Sequence, residues 1–170
     1  MDLKEDDNLI FVIGKTEGHL DQSLFARDIL LEKKGPPPEI NLFNEKNNGE
    51  TLLELIQKKL VLSAHDISTG GLLTALSEMC IAGNLGAMIN PPKSLINLNE
   101  YFFGEDQGRY IIEVDKKNYD KILEIFNNNS VFFENIGNTQ KEYLFLEDEF
   151  NIHVDELSKL NNNWFEDYTK

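Results

Sequence analysis

The stretch AHDISTGGLLTALSEMCIAG (residues 64–83) limits most strongly what this chain can fold into. A strand-like run, VLSAHDIS, ends in a double glycine and leads directly into an apolar helical segment. Gly70 and Gly71 can take positive φ angles and let another backbone or a ligand come close. A strand, a tight glycine turn and a helix in this order predict a unit in which the helix packs against a sheet.

This junction has two possible roles, and local physics leaves both open. The free N–H groups and the dipole of the helix face the loop, so they can hold a phosphate or a carboxylate. Asp66 can bind a metal ion or a hydroxyl group, and His65 can donate a hydrogen bond or accept a proton. Alternatively, Ser68 or Thr69 caps the helix, and His65 is a satisfied buried side chain. The spacing matches neither a phosphate-binding P-loop nor a dinucleotide-binding glycine fingerprint.

Two more polar loops are candidate binding segments. The first, FFGEDQGRYIIEV, contains residue types suited to polar recognition, namely Gly104, Glu105, Asp106, Gln107 and Arg109. Adjacent acids, an amide and a guanidinium can recognise a polar ligand, whereas the alternative is a solvated turn in which Arg109 pairs with a nearby acid. The second loop, KTEGHLDQS, places Thr16, Gly18 and His19 after the first strand, and its pattern favours an ordinary strand–loop–helix junction.

Apolar patterning predicts alternating strands and helices early in the chain and clustered strands late. Strands are expected at NLIFVIG, VLSAHDIS, GAMINPP, RYIIEV, SVFFENIGNT, KEYLFLED and EFNIHV. Helices are expected at SLFARDILLEKK, from a Ser23 cap to Gly35, and at ETLLELIQKKL, GGLLTALSEMCIAG, DKKNYDKILEIFNNN with an Asp115 cap, and VDELSKLNNNWFEDY, with a short helix in INLNEYFFGEDQG. Three consecutive prolines make a stiff extended loop. The prediction is one domain over residues 1–170, of α/β or α+β class, with helices flanking a mixed β-sheet.

Composition excludes several classes of protein. The 170 residues, 41% of them hydrophobic, suffice for one apolar core. A formal net charge of -14 argues against nucleic-acid binding through a broad basic surface and against binding to anionic membranes. The single cysteine, Cys80, lies in an apolar helical pattern, which predicts a buried, inert thiol in a reducing compartment. The acidic start is unlike a signal peptide, and no apolar run reaches the roughly 18 residues of a membrane span. A cytoplasmic protein is therefore expected.

Four segments, taken together and in order, resemble the C-terminal end of the phosphoribosylformylglycinamidine synthase family, in the large synthetase subunit of its bacterial small-chain form. They are LIFVIGKTEGHLDQSLFARDIL, GPPPEINLFNEKNNGE, VLSAHDISTGGLLTALSEMCIAGNLGA and FFGEDQGRYIIEV. The triple proline followed by INLFNEKNNGE is typical of this family, whereas HDxSxGGL alone marks a wider superfamily. That superfamily includes aminoimidazole ribonucleotide synthetase, selenophosphate synthetase, a hydrogenase maturation protein and thiamine-phosphate kinase. The resemblance implies the fold of the aminoimidazole ribonucleotide synthetase C-terminal domain.

The resemblance also implies a reaction for the full enzyme. ATP and magnesium activate the amide oxygen of formylglycinamide ribonucleotide as a phosphorylated imidate, and ammonia then displaces phosphate to give the amidine. A glutaminase subunit supplies the ammonia, and a small bridging subunit helps to join the two in many bacteria. The family's synthetase has two similar halves, each with an ATP-binding N-domain and a C-domain, and this chain resembles the last C-domain only.

For this chain the resemblance implies no catalytic or metal-binding residue of its own, because the nucleotide-binding acids and the catalytic histidine belong to the upstream N-domains. The fragment alone is expected to be inactive and to bind neither ATP nor Mg²⁺. A C-domain separated from its N-domain is also expected to expose an apolar face. The rival hypothesis is a stand-alone nucleotide-binding or assembly module without catalysis. A third, the C-domain of a related kinase or synthetase, is disfavoured by GPPPEINLF.

Two departures from the family pattern affect the candidate contacts. The family's HDVSDGGL is HDISTGGL here, so Thr69 replaces a carboxylate, and its GESQ is GEDQ here, so Asp106 replaces a serine. Both changes favour packing and domain contact over a phosphate-contacting role at these loops. The candidate ligand or domain contacts are His65, Asp66, Ser68, Gly70, Gly71, Gly104, Glu105, Asp106, Gln107 and Arg109.

Overall fold

The structure, a computed structural model, describes residues 1–92 and 96–169 and contains a seven-stranded mixed sheet with helices on both faces. The strands are β1 (Leu9–Ile13), β2 (Ser63–Ile67), β3 (Gly86–Ile89), β4 (Arg109–Val114), β5 (Phe133–Gln140), β6 (Tyr143–Leu146) and β7 (Phe150–His153). The helices are α1 (Leu24–Asp28), α2 (Leu42–Gln57), α3 (Gly71–Gly83), α4 (Leu98–Phe103), α5 (Tyr119–Asn128) and α6 (Val154–Tyr168). The predicted fold class, helices flanking a mixed sheet, is confirmed.

The strand order is β2-β4-β1-β5-β3-β6-β7. Neighbouring strands are antiparallel except for β3 and β6, which run parallel. Strand β1 lies between β4 and β5, which both come about 100 residues or more later in the chain. The pairing of β1 with β5 is irregular between Ile10 and Phe11. This order places the loop after β1 beside the loop that precedes β4, because the two strands are antiparallel.

Each face of the sheet carries its own apolar core. In β1, Ile10 and Val12 pack in a core that includes α3 and α4, whereas Phe11 and Ile13 pack in a core that includes α2 and α5. All four side chains are buried. A strand covered on both faces is a continuous apolar run, and this explains why NLIFVIG shows no polar alternation.

Helix α1 is shorter than predicted, since it ends at Asp28 and not at Gly35. Ala26 is the only buried residue of this helix, so little packing supports a longer one. The chain leaves the helical path at once: Leu31 has a left-handed φ of +56° and is exposed. The apolar positions Ile29 and Leu30, which suggested a continuing helix, are largely exposed as well.

Helix α2 begins at Leu42, earlier than the predicted start at Glu50. The Asn41 side chain caps it by accepting a hydrogen bond of 3.0 Å from the Asn44 N–H. An asparagine after a proline-rich loop is a recognisable N-cap signal, and it would have predicted the earlier start. Asp115, predicted to cap α5, instead caps a one-turn 3₁₀ helix at Lys116–Asn118, and α5 follows from Tyr119.

Cys80 lies fully buried in α3, and burial raises the pKa of its thiol to about 12. Because the thiolate is the reactive form, we expect the native chain to resist a chromogenic disulfide reagent at about pH 8. The same chain in denaturant should react completely, which provides the internal control. A native protein that reacted as fast as the denatured one would contradict the burial of this thiol.

None of the helices in the described ranges is long and apolar enough to cross a membrane.

Candidate functional site

A cavity of about 1030 Å³ opens beside the loops that follow β1 and precede β4. Its lining comes from the loop at 15–21, from residues 38–41, from the first turns of α2, and from Glu100, Asp106 and Gln107. The lining is acidic, with Glu17, Asp21, Glu39, Glu45 and Glu100 among its residues. Lys15 also lies there, and its ammonium pairs with the Glu17 carboxylate at 2.8 Å. A free polyanion would therefore meet repulsion in this cavity.

Close backbone approach joins the two loops that lie beside the cavity. Gly14, at the end of β1, has a φ of +96°, and a Cβ there would lie 2.7 Å from the Gly108 carbonyl oxygen. Only glycine allows the two loops to meet so closely. Helix α2 is tied to the same point, because the Asn48 side-chain amide donates to the Gly108 carbonyl at 2.9 Å.

The Asp106 carboxylate is bound by the loop after β1. Oδ2 accepts hydrogen bonds from the N–H groups of Glu17 (3.1 Å) and Gly18 (3.0 Å). Oδ1 accepts one from the N–H of His19 (3.0 Å). Only 7% of Asp106 is exposed. This carboxylate is therefore committed to three consecutive backbone amides, although it stands on the cavity lining.

Glu105 joins the starts of two helices. Its Oε1 accepts hydrogen bonds of 2.8 Å from the N–H groups of both Leu24, in α1, and Gly70, which precedes α3. The alternative in which Ser68 or Thr69 caps α3 is wrong. The N-cap residue is Gly70, which has no side chain that could cap the helix. An anion does lie at this helix start, but it is a carboxylate of the chain itself.

The double glycine serves close packing. Gly70 and Gly71 have φ angles of +86° and +75°, and the Gly71 N–H donates to the Ser68 carbonyl at 3.1 Å. A Cβ on Gly71 would lie 2.7 Å from the carbonyl oxygen of Phe102 in α4. The packing alternative for these glycines therefore agrees with the geometry.

The Arg109 side chain joins the loop after β1 to the loop that precedes β4. Its side chain is fully buried and donates to the Gly104 carbonyl (2.6 Å), the Asp106 carbonyl (3.3 Å) and the Thr16 hydroxyl (3.0 Å). The guanidinium also lies 3.6 Å from the Asp106 carboxylate. Burial lowers the pKa of Arg109, and the charge of Asp106 opposes that change. The loop is not the solvated turn of the sequence analysis, but its predicted pairing of Arg109 with an acid is present.

His65 and Asp66 form a different group on β2, the edge strand. The His65 ring is 15% exposed, and its two nitrogens lie 3.2 Å from an Asp66 oxygen and 3.0 Å from an oxygen of Glu78 on α3. These contacts join β2 to α3 and do not involve the 104–109 loop. The structure thus places His65 and Asp66 on a β2–α3 surface, whereas only Asp106 and Gln107 of the candidate residues line the cavity.

The residues that give the cavity its shape were not predicted from the sequence. Gln107, a candidate contact, is exposed on the lining, but the walls at 38–41 and on α2 carried no functional prediction. The N-cap Asn41 after the triple proline was the available signal, since it would have marked where α2 begins along the chain. Among residues 1–92 and 96–169, no group of three or more His, Cys, Asp or Glu side chains could hold a metal ion.

Residues 5–147 match the family model of the AIR synthase related protein, C-terminal domain. The chain therefore belongs to this family of C-terminal domains, and the match extends over most of the chain's length. Among curated proteins, it is 58% identical over 168 residues to phosphoribosylformylglycinamidine synthase subunit PurL of Pelagibacter ubique. That alignment covers 99% of this chain and 23% of the relative, so the chain spans less than a quarter of the relative's length.

Solved structures of T. maritima PurL share this fold. The complex with FGAR matches with a TM-score of 0.76 at 23% sequence identity, over 92% of this chain and 29% of that chain. The complex with ATP matches with a TM-score of 0.69 at 22% identity, over 92% of this chain and 26% of that one. The structure of PurLQS matches with a TM-score of 0.68 at 22% identity, over 92% and 27%. At these identities the likeness establishes the fold alone.

Proposed function

We propose that residues 1–170 form the C-terminal domain of a PurL-type synthetase, the large subunit of a phosphoribosylformylglycinamidine synthase. The observation that carries this proposal is the 58% identity to the P. ubique subunit along 99% of the chain. The parent enzyme would use ATP to convert formylglycinamide ribonucleotide and glutamine-derived ammonia to formylglycinamidine ribonucleotide in the cytoplasm. In this proposal the chain is a fragment of a purine-biosynthetic ligase.

Within that enzyme the chain would supply a wall and a docking surface, not the reacting groups. The charged candidates of the 104–109 loop, Glu105, Asp106 and Arg109, are all committed to contacts within the chain. Phosphoryl transfer needs a metal ion and oriented donors at the developing charge. On the family resemblance we assign ATP and Mg²⁺ to the upstream N-domains, and we expect the isolated chain to be inactive.

An exposed apolar segment beside the cavity supports contact with the missing domains. Large apolar side chains at Ile29, Leu31, Ile40, Leu42 and Phe43 are between 61% and 82% exposed. Ile40 and Leu42 also line the cavity. Exposed apolar patches of this kind mark interaction surfaces. The N-domains of the same synthetase are the proposed occupants, with the glutaminase and the small bridging subunit as further partners of the complex.

A chimeric enzyme tests the proposal. The matching 23% of the P. ubique subunit would be replaced by this chain, and ADP release would be measured with formylglycinamide ribonucleotide, ammonia and Mg-ATP. We expect substrate-dependent ADP release within about tenfold of the parent subunit, a difference of about 1.4 kcal/mol in activation free energy. The subunit truncated before this segment is the control and should be inactive. A folded chimera as inactive as the truncated control would overturn the proposal.

Calorimetry on the isolated chain separates this proposal from the rival, a stand-alone nucleotide-binding module. The titrants are Mg-ADP and then formylglycinamide ribonucleotide. We expect no saturable heat from either, because the proposed reacting groups lie upstream. Binding tighter than about 100 µM, or about 5.5 kcal/mol, would favour the stand-alone module.

A further inference from the structure

The loop Thr16–His19 arranges its backbone as an anion-binding cradle. The N–H groups of Glu17, Gly18 and His19 point at the two carboxylate oxygens of one side chain, at 3.0 to 3.1 Å. Gly18 has a φ of +82°, and a Cβ there would lie 2.8 Å from the Glu100 Cβ, so the turn requires glycine. Successive amides in a turn of this kind form concave sites for anions such as phosphate.

A buried cation completes the cradle. The Arg109 guanidinium lies 3.6 Å from the Asp106 carboxylate and is fully buried among the same two loops. It also holds the Thr16 hydroxyl, at 3.0 Å, at the start of the cradle. Three amides and a guanidinium are the donors that suit a tetrahedral oxyanion. The loop is thus equipped for an anion from solution, yet the anion it holds is Asp106.

We propose that this cradle is a phosphate-class anion site that the chain keeps closed with its own Asp106 carboxylate. The inference concerns contacts within the chain, so it does not depend on the proposed function. It predicts that the wild-type cradle rejects phosphate and that removal of the Asp106 side chain opens the site. Glu17, Glu100 and the neighbouring Glu105 oppose any incoming anion, so the opened site should be weak and sensitive to salt.

The test compares four variants of the 170-residue chain. Asp106→Ser and Asp106→Gly remove the carboxylate and leave space for an anion. Asp106→Asn keeps the bulk of the side chain but turns an amide N–H₂ towards the backbone donors, so the site should stay closed. Asp120→Ser is the matched control, because it removes an exposed carboxylate from α5, outside the cradle.

The readout is the backbone amide signals of Glu17, Gly18 and His19 in proton–nitrogen correlation spectra. Each chain is titrated with inorganic phosphate, and with sodium chloride at equal ionic strength. In Asp106→Ser or Asp106→Gly we expect the chemical shifts of these three amides to change saturably with phosphate. The phosphate concentration at half-saturation should be at least about tenfold lower than the corresponding chloride concentration. The same signals should show no saturable shift in the wild type, in Asp106→Asn and in Asp120→Ser.

Two results would overturn the proposal. One is that Asp106→Ser and Asp106→Gly both fold, but the chemical shifts of their cradle amides change equally with phosphate and with chloride. The other is a wild-type chain that binds phosphate as well as these variants do. If both variants unfold, couplings across the hydrogen bonds between the three amides and the Asp106 carboxyl carbon are measured in the wild type. Their absence would refute the closed cradle, and their presence would support it.

Discussion

Replacing Glu113 with alanine should lower the free energy of unfolding by about 4 kcal/mol. Glu113 lies on β4 and is completely buried. Its Oε2 accepts hydrogen bonds from the Lys4 N–H (2.8 Å) and the Ser63 hydroxyl (3.1 Å). Its Oε1 accepts from the Glu5 N–H (3.1 Å) and the Asn8 side-chain amide (2.7 Å). Removal of the carboxylate would leave four donors in or near the core without their acceptor, and that loss is the source of the penalty.

Urea denaturation measures this effect, and two further variants make the comparison specific. Glu113→Gln keeps the shape but replaces one oxygen by a donor, so it should cost about half as much as alanine. Glu124→Ala removes an exposed glutamate from α5 and should change stability by less than about 0.5 kcal/mol. A loss below about 1 kcal/mol for Glu113→Ala would show that the N-terminal residues do not depend on this carboxylate.

The sequence was sufficient to predict the elements whose pattern is set by burial. NLIFVIG is a nearly continuous apolar run because β1 is covered on both faces of the sheet. Strand β4 is apolar between Arg109 and Glu113, two charged residues that are themselves buried. The helix after the double glycine was predicted for the same reason, since one side of α3 packs in the core. Where burial is slight, as in α1, apolar residues remain exposed and their spacing gave a helix that is too long.

The partners of the polar residues could not be predicted from spacing. The loop at 104–109 suggested a ligand contact, but Glu105 and Asp106 bind amides that lie more than 80 residues away in most cases. Such pairings depend on the strand order, in which β4 lies beside β1. Residue types and spacing identify chemically capable residues there, but they do not distinguish a carboxylate that binds a ligand from one that binds the chain's own backbone.

The same dependence on distant partners makes Arg109 the second position of large expected effect. Arg109→Met keeps most of the side-chain length and removes the charge, so Gly104, Thr16 and Asp106 lose their shared donor. We expect a loss of about 4 kcal/mol in the free energy of unfolding, because a buried partner charge is left without its counterion. Arg109→Lys retains the charge but not the planar fork that reaches three acceptors at once, and should lose about 2 kcal/mol.

A matched control and a local readout separate the loss of this network from a general loss of packing. Arg27 is an exposed arginine that pairs with Asp28 on α1, so Arg27→Met should change stability by less than about 1 kcal/mol. Hydrogen exchange at the amides of Glu17, Gly18 and His19 should accelerate in Arg109→Lys before the global transition, because the guanidinium orders the loop that carries them. If Arg109→Lys were as stable as the wild type and its loop amides equally protected, the guanidinium would not be what joins the two loops. If instead only global stability fell, the loops would be held by Asp106 alone, and the anion cradle would keep its shape without the cation behind it.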